Sequence, residues 1–142
     1  MALVRSTHML NTYIVEDSPV IRENLIATLE ELVPVRVVGT AEDETTALQW
    51  LAEADHPVDL VIVDIFLKRG SGLGVLRAAR ALAQRYRMVV LSNHATPDMR
   101  RKCLALGADR VFDKSNEIEA LMQYCDQLAA GECPRSVAET LA

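Results

Sequence analysis

The sequence predicts a doubly wound α/β domain, with a five-stranded parallel sheet covered on both faces by five helices. Three observations carry this reading. Short runs rich in Val and Ile recur without polar alternation, which marks parallel strands buried on both faces. Helical stripes of apolar residues separate the runs, so each connection is a crossover, and crossovers of this kind are right-handed. The runs also close on carboxylate, hydroxyl or lysine side chains. In open parallel sheets, ligands bind beyond those carboxyl ends.

Each element has its own justification. TYIVED (Thr12–Asp17) reads as a buried strand closing on two acids. Ser18-Pro19 supplies an N-cap and then a proline at the first helical position, where its missing N–H costs little. Ile21, Leu25, Leu29 and Leu32 then recur at helical spacing, with Arg22, Glu23, Glu30 and Glu31 elsewhere on the wheel. Pro34 ends that helix, and VRVVGTA is a second strand. Ala47, Trp50, Leu51 and Ala54 stripe a second helix. DLVIVD, MVVLS and RVF are further strands, interleaved with helices near 72–85, 97–106 and 116–130. Gly131 and Pro134 set off ECPRSVAETLA as a loosely held tail. The expected organisation is one domain over 1–131 and a short C-terminal tail over 132–142, with no effector domain.

Composition narrows the field without naming a function. A chain of 142 residues suits a single core. Half of it is hydrophobic and a quarter charged, which is ordinary for a globular domain. No apolar stretch reaches about 18 residues, so no membrane-spanning helix is expected, and MALVRSTHM lacks the apolar core and cleavage site of a secretory signal. Cys103, Cys125 and Cys133 form an odd set without metal-type spacing, which points to reduced thiols in a cytoplasm. A net charge of −5 argues against nonspecific nucleic-acid binding.

The chemistry gathers at the strand ends, where Glu16, Asp17, Asp64, Ser92 and Lys114 fall on one edge of the sheet. Three crowded carboxylates should repel one another. A hard divalent cation removes that conflict, and magnesium takes one or two carboxylates together with phosphate oxygens and water. Lys114 adds a positive charge for Asp64 or a bound anion, and Ser92 adds a hydroxyl. That is a site for phosphoryl chemistry with Asp64 as nucleophile. The bland alternative is an ion-pair network at a sheet edge.

On these residues the chain resembles a response-regulator receiver domain of two-component signalling, chemotaxis-regulator-like, from about Leu10 to Gly131. The acidic pair Glu16-Asp17 follows the first strand, Asp64 the third, Ser92 the fourth and Lys114 the fifth. The spacings are 28 residues from Asp64 to Ser92 and 22 from Ser92 to Lys114. The resemblance implies a flavodoxin-like strand order 2-1-3-4-5. It implies Mg2+ held by Asp17, Asp64, the main-chain carbonyl of Phe66 and, through water, Glu16. It also implies an aspartyl-phosphate on Asp64 that contacts Lys114 and Ser92. The phosphodonor would be a sensor histidine kinase or a histidine phosphotransfer protein. The downstream protein partner would be met through the fourth helix, fifth strand and fifth helix. The chain would be a monomer or a phosphorylation-dependent homodimer, cytoplasmic, with no direct contact to nucleic acid or membrane, and not an enzyme beyond its own phosphotransfer and slow autodephosphorylation.

The chain departs from that family at several positions. Lys68 stands where the family has proline. Ser115 follows Lys114 where the family has a proline with a cis peptide, so a trans bond is expected, with some displacement of Lys114. Val111 occupies the place of an inward-turning Tyr or Phe, and Phe112, one residue later, should face the other way. Phe66 and His94, two positions beyond Asp64 and Ser92, should flank the path of a hydrolytic water and so modulate phosphate loss.

An aspartate-nucleophile phosphatase of the haloacid-dehalogenase kind would carry a second acid where Phe66 stands. A degenerate receiver acting as a binding module would not keep the acidic set intact. GSGLG lacks dinucleotide-loop order and follows the third strand, which indicates a turn and the start of a helix. MRRKC (Met99–Cys103) is either a solvated face or a docking patch for an acidic partner. His8, His56 and His94 share no ligand spacing. Cys103, Cys125 and Leu128 fit helix stripes as core residues.

Overall fold

Successive side chains along a strand point to opposite faces, so a strand apolar at every position needs cover on both sides. The computed structural model of the chain describes residues 8–53, 57–82 and 86–131. Its order is β1 (Leu10–Val15), α1 (Pro19–Leu32), β2 (Val35–Ala41), α2 (Glu44–Ala52), β3 (Leu60–Val63), α3 (Gly72–Ala81), β4 (Arg87–Ser92), α4 (Pro97–Ala105), β5 (Arg110–Asp113) and α5 (Ile118–Ala129). The strands pair in parallel in the order β2-β1-β3-β4-β5. The doubly wound, flavodoxin-like order expected from the sequence is therefore the observed one.

The two faces divide the sequence cleanly. Tyr13, Val15, Val61, Val63, Val90 and Val111 meet α2, α3 and α4 through Ala47, Leu51, Val75, Leu76 and Cys103. Ile14, Leu60, Ile62, Leu91 and Phe112 meet α1 and α5 through Leu25, Leu29, Leu121, Tyr124 and Cys125. Each fully buried large side chain stabilises the fold by about 1.5–3 kcal/mol relative to an exposed one. Val111 and Phe112 lie on opposite faces, as their adjacency in a strand requires. β2 departs from the unbroken apolar pattern. It is an edge strand whose Arg36, Val38 and Thr40 are exposed, so its residues alternate instead.

The apolar stripe of α1 is shorter than expected, whereas that of α2 packs as expected over its described residues. On α1, Leu25 and Leu29 are buried, but Ile21 and Leu32 at the ends of the expected stripe are 39% and 60% exposed. The sheet supports only the middle turns of that helix. On α2, Trp50 is half-buried and stacks on Tyr13 at 4.0 Å with planes 14° apart. Gly39 makes room for the pair, since a Cβ there would lie 2.9 Å from the Tyr13 ring and 3.2 Å from Trp50.

Local signals set the helix starts. Ser18, Asp43, Ser71 and Thr96 each cap a helix with a side-chain oxygen, and Pro19 and Pro97 sit in first turns. α5 begins at Ile118, two residues later than expected, because Glu117 and Asp113 are occupied in the preceding turn. The tail over 132–142, Cys133, His56, Ala54 and the expected last turn of the third helix at 83–85 lie outside the described residues. No described helix is long and apolar enough to cross a membrane.

Candidate functional site

Four parallel strands end together: the residues that follow β1, β3 and β5, with Ser92 at the end of β4, make the site. β1 pairs with β3 so that Val15 lies opposite Val63, which brings Glu16-Asp17 beside Asp64. The Asp64 N–H continues the ladder to Val15 O at 2.9 Å. On the other side, Ser92 lies opposite Asp113, and the Lys114 N–H donates to Ser92 O at 3.0 Å. All five residues singled out in the sequence therefore meet at one sheet edge.

Lys114 holds the centre. Its Nζ donates to Glu16 Oε1 at 2.5 Å and to Asp64 Oδ2 at 3.0 Å. The side chains of Lys114, Glu16 and Asp64 are only 11%, 3% and 11% exposed. Burial works against the ammonium charge, but the hydrogen bonds and negative charges of Glu16 and Asp64 outweigh it. The Lys114 pKa is accordingly held above its ordinary value. The sequence offered this lysine to Asp64 or to a bound anion; in the structure it is shared between Asp64 and Glu16, with the shorter contact to Glu16. No peptide bond among the described residues is cis, and Lys114 reaches both acids across a trans bond to Ser115.

One carboxylate oxygen from each of Glu16, Asp17 and Asp64 lies within 4.8 Å of the others. Three carboxylates and one ammonium leave two negative charges in a partly desolvated pocket. The donor set is all hard oxygen and the charge deficit is two, which fits a hard divalent cation. Glu16 is already engaged at both oxygens, by Lys114 and by the Ser18 N–H at 3.1 Å. Asp17 and Asp64 are thus the better placed for direct ligation.

The rest of the rim comes from two loops. Phe66 is 53% exposed, and its ring packs edge-on against His94 with centroids 4.6 Å apart. The two residues expected to flank the site thus touch each other. Ser92 is fully buried, and its Oγ accepts the His94 N–H at 3.0 Å. Val111 is buried against the α2–α4 side, one strand away from Val90.

The glycines of GSGLG have a steric cause. A Cβ on Gly72 would stand 2.2 Å from the Asp64 carbonyl oxygen, so only glycine lets α3 start directly behind that residue. Gly70 has φ +78°, in the left-handed region that glycine tolerates. Beside it, the Glu44 carboxylate from α2 accepts the Ser71 N–H at 2.9 Å, while the Glu44 N–H donates to Arg69 O at 3.2 Å. Glu44 props the loop after Asp64, and sequence reading missed it. The only available signal was an acid one residue past the Asp43 cap, which also suits an ordinary helix first turn. MRRKC divides: Arg101 and Lys102 lie on a solvated face, while Arg100 does not share it. Arg100 turns inward onto the fold, Arg101 pairs with Asp98, and Lys102 is exposed.

Comparison with known proteins bears on the fold and the family. The transcriptional regulatory protein MalR of Bacillus subtilis (strain 168) is 32% identical over 111 residues, covering 78% of this chain and 46% of that protein. The chain spans about half the length of the curated relatives it matches. A two-component response regulator of the LuxR family from Aurantimonas sp. SI85-9A1 superposes with a TM-score of 0.78 at 23% identity, covering 94% of each chain. A response regulator from Burkholderia pseudomallei, solved with a phosphorylated aspartic acid, a calcium ion and citrate, superposes with a TM-score of 0.69 at 24% identity, covering 86% of this chain and 69% of that one. At those identities the two structures speak for the fold alone. The model of the response regulator receiver domain matches residues 12–126, nearly the whole of the described fold, and the chain belongs to that family.

Proposed function

We propose that Asp64 is the phosphoacceptor of this receiver domain, taking a phosphoryl group from a phosphohistidine with Mg2+ bound, and that the acquired charge switches the domain's protein contacts. The observation that carries the proposal is the shared lysine. Lys114 already spans Glu16 and Asp64, leaving a pocket two charges short of neutrality that opens at the sheet edge.

The roles divide among the residues. Asp17 and Asp64, with the Phe66 main-chain carbonyl, would hold the cation, and Glu16 would act through water. The bound cation would supply charge neutralisation between carboxylate and incoming phosphoryl oxygens. An Asp64 carboxylate oxygen attacks phosphorus, the P–N bond to the donor imidazole breaks, and the imidazole leaves with its electron pair. Lys114 stays within reach of Asp64 to pair with the phosphoryl charge, and the Ser92 hydroxyl turns toward it. Phe66 and His94 form the outer wall and limit access of water.

The donor under this reading is a sensor histidine kinase or a histidine phosphotransfer protein, and output runs through α4, β5 and α5 to a protein partner or to a second copy. In the Burkholderia protein the phosphorylated aspartate and the divalent ion occur together, which supports pairing the two here. A phosphatase reading has no acid to protonate a leaving group at Phe66. The deciding experiment is incubation with acetyl phosphate and magnesium, followed by borohydride reduction of the acyl phosphate to homoserine and peptide mapping of the product. Label at Asp64 that requires the metal and persists without turnover is expected. Rapid net release of phosphate, or label at another residue, would overturn the assignment.

A further inference from the structure

The Ser92 hydroxyl oxygen is occupied in the resting structure. Its Oγ is held by the His94 N–H at 3.0 Å. A hydroxyl that turns toward a group on Asp64 must give up that bond, and the loop of residues 93–96 must then move. Few backbone bonds hold this loop in place, among them the Thr96 N–H to His94 O at 2.9 Å. What ties the loop to the rest of the domain is a side chain from the first turn of α4. Arg100 donates through Nε to Ala95 O at 3.0 Å, through Nη1 to Val111 O at 3.0 Å, and through Nη2 to Glu117 Oε1 at 2.5 Å. Glu117 also accepts the Asp113 N–H at 2.9 Å.

One guanidinium therefore joins the loop after Ser92, the outer edge of β5 and the cap position of α5. Its planar fork satisfies three acceptors on three elements at once, which a lysine cannot do. Burial disfavours the Glu117 charge, yet the Arg100 hydrogen bond and charge and the Asp113 N–H together hold its carboxyl below the usual range. Val111 contributes only its carbonyl to this assembly, since its side chain is packed in the core.

We infer that Arg100 is a positioning residue that latches the loop after Ser92 in its resting place, so that phosphorylation must break or drag this latch and thereby reaches β5 and α5. The inference rests on the phosphoacceptor reading of Asp64. The latch stabilises the resting form selectively, because its bond to Ala95 exists only while the loop stays where Ser92 holds it. Loosening it raises the fraction of protein ready to close on a phosphoryl mimic, and apparent affinity rises by the same factor.

The test uses beryllofluoride with magnesium as the mimic, on the whole chain, with wild type, Arg100→Gln and Glu117→Gln. Titration followed by 19F NMR should show each variant half-saturated at roughly three- to tenfold lower mimic concentration, the worth of about one net hydrogen bond. Amide exchange without the mimic should be faster at residues 93–96 in both variants and unchanged in β1 and β3. Two readouts separate a latch from a brace. Faster exchange with unchanged or weaker mimic affinity makes Arg100 a structural brace only and overturns the inference. Equal exchange and equal affinity overturn it too. If Arg100→Gln does not fold, Glu117→Gln carries the same comparison alone. Wild type that takes no beryllofluoride at Asp64 overturns the underlying reading instead, and labelling by acetyl phosphate identifies which of the two has failed.

Discussion

Replacing Lys114 with Met keeps the stem volume and removes the charge that two carboxylates share. Glu16 and Asp64 are 3% and 11% exposed, and their contacts to Nζ are 2.5 and 3.0 Å. Removing one partner of a buried pair costs about 3–5 kcal/mol, because an uncompensated charge stays behind. The site opens at the sheet edge, so the lower end applies, about 3 kcal/mol, or roughly 10 °C in Tm for a chain of this length. Asp64→Asn is the internal contrast. It removes a negative charge from an over-acidic pocket and leaves the Lys114–Glu16 pair, so its stability should lie within about 0.5 kcal/mol of wild type. Magnesium at ten times its dissociation constant should return about 1.4 kcal/mol. It should return more to Lys114→Met than to wild type at equal concentration, since no ammonium then competes for the carboxylates. Urea unfolding with chelator and with added magnesium measures all of this. Equal unfolding free energies for wild type and Lys114→Met in chelator would show that the lysine is not the counterion, and the charge argument would fail.

Other expectations follow from the same geometry. Asp64→Asn should abolish labelling by acetyl phosphate, and Asp17→Ala should weaken magnesium binding severely in a direct titration. Phe66→Asn should speed loss of phosphate after donor removal by roughly tenfold, about 1.4 kcal/mol in the barrier. The Phe66 ring, which packs against His94 and is expected to shield the phosphoryl group, would then be replaced by a group that orients water, and unchanged decay would show that it shields nothing. Burial pushes the Cys103 thiol up to about 11 and the Cys125 thiol up to about 12. Iodoacetamide at pH 8 should therefore leave both unmodified in the native protein, as read by peptide mapping. Burial likewise raises Tyr13 and Tyr124 to about 12. Raised folded pKa values mean that the protonated forms stabilise the fold. That contribution is full below about pH 9 and is lost as pH climbs toward 12. Alkaline unfolding should be steep over that interval in a pH-jump series.

What the sequence made legible was whatever depends on period and order. The apolar runs placed five strands because a doubly covered strand needs nothing but Val, Ile and Leu at successive positions. The polar residue after each run then located the site without any coordinates. The shared lysine was not legible, because the choice between Glu16 and Asp64 turns on distances of a fraction of an ångström among three strands. Glu44 and Arg100 were missed for a related reason. Each looks like an ordinary charge in a helix first turn, and only the crossing of α2 past the Gly70–Gly74 segment, or of α4 past β5, gives it a partner. Arg100 was read with Arg101 and Lys102 as one basic run, yet neighbours in sequence lie about 100° apart on a helix and need not share a fate.

The way the site is fastened decides where a signal can leave it. Asp64, Glu16 and Lys114 each hang from backbone already committed to the sheet or its immediate continuation: Asp64 N–H to Val15 O, Glu16 N–H to Ala41 O, Lys114 N–H to Ser92 O. Added charge at Asp64 cannot move those segments without breaking ladder bonds, at about 1 kcal/mol or more each. The loop after Asp64 is fastened as well, by Gly72 N–H to Ile65 O at 2.9 Å and by Glu44 on Ser71. The loop after Ser92 differs. It starts from a side-chain bond that Ser92 can release by rotating about χ1, and it is tied onward by the Arg100 guanidinium rather than by strand pairing. Of the two loops over the site, this one yields at lowest cost. A conformational response to phosphorylation should therefore emerge at residues 93–107 and reach β5 and α5, while the Asp64–Ser71 loop stays in place. Amide exchange with and without the beryllofluoride mimic reads this directly: protection changes in 93–107 with none in 65–71 are expected, and the reverse pattern would show that the signal leaves by the other loop.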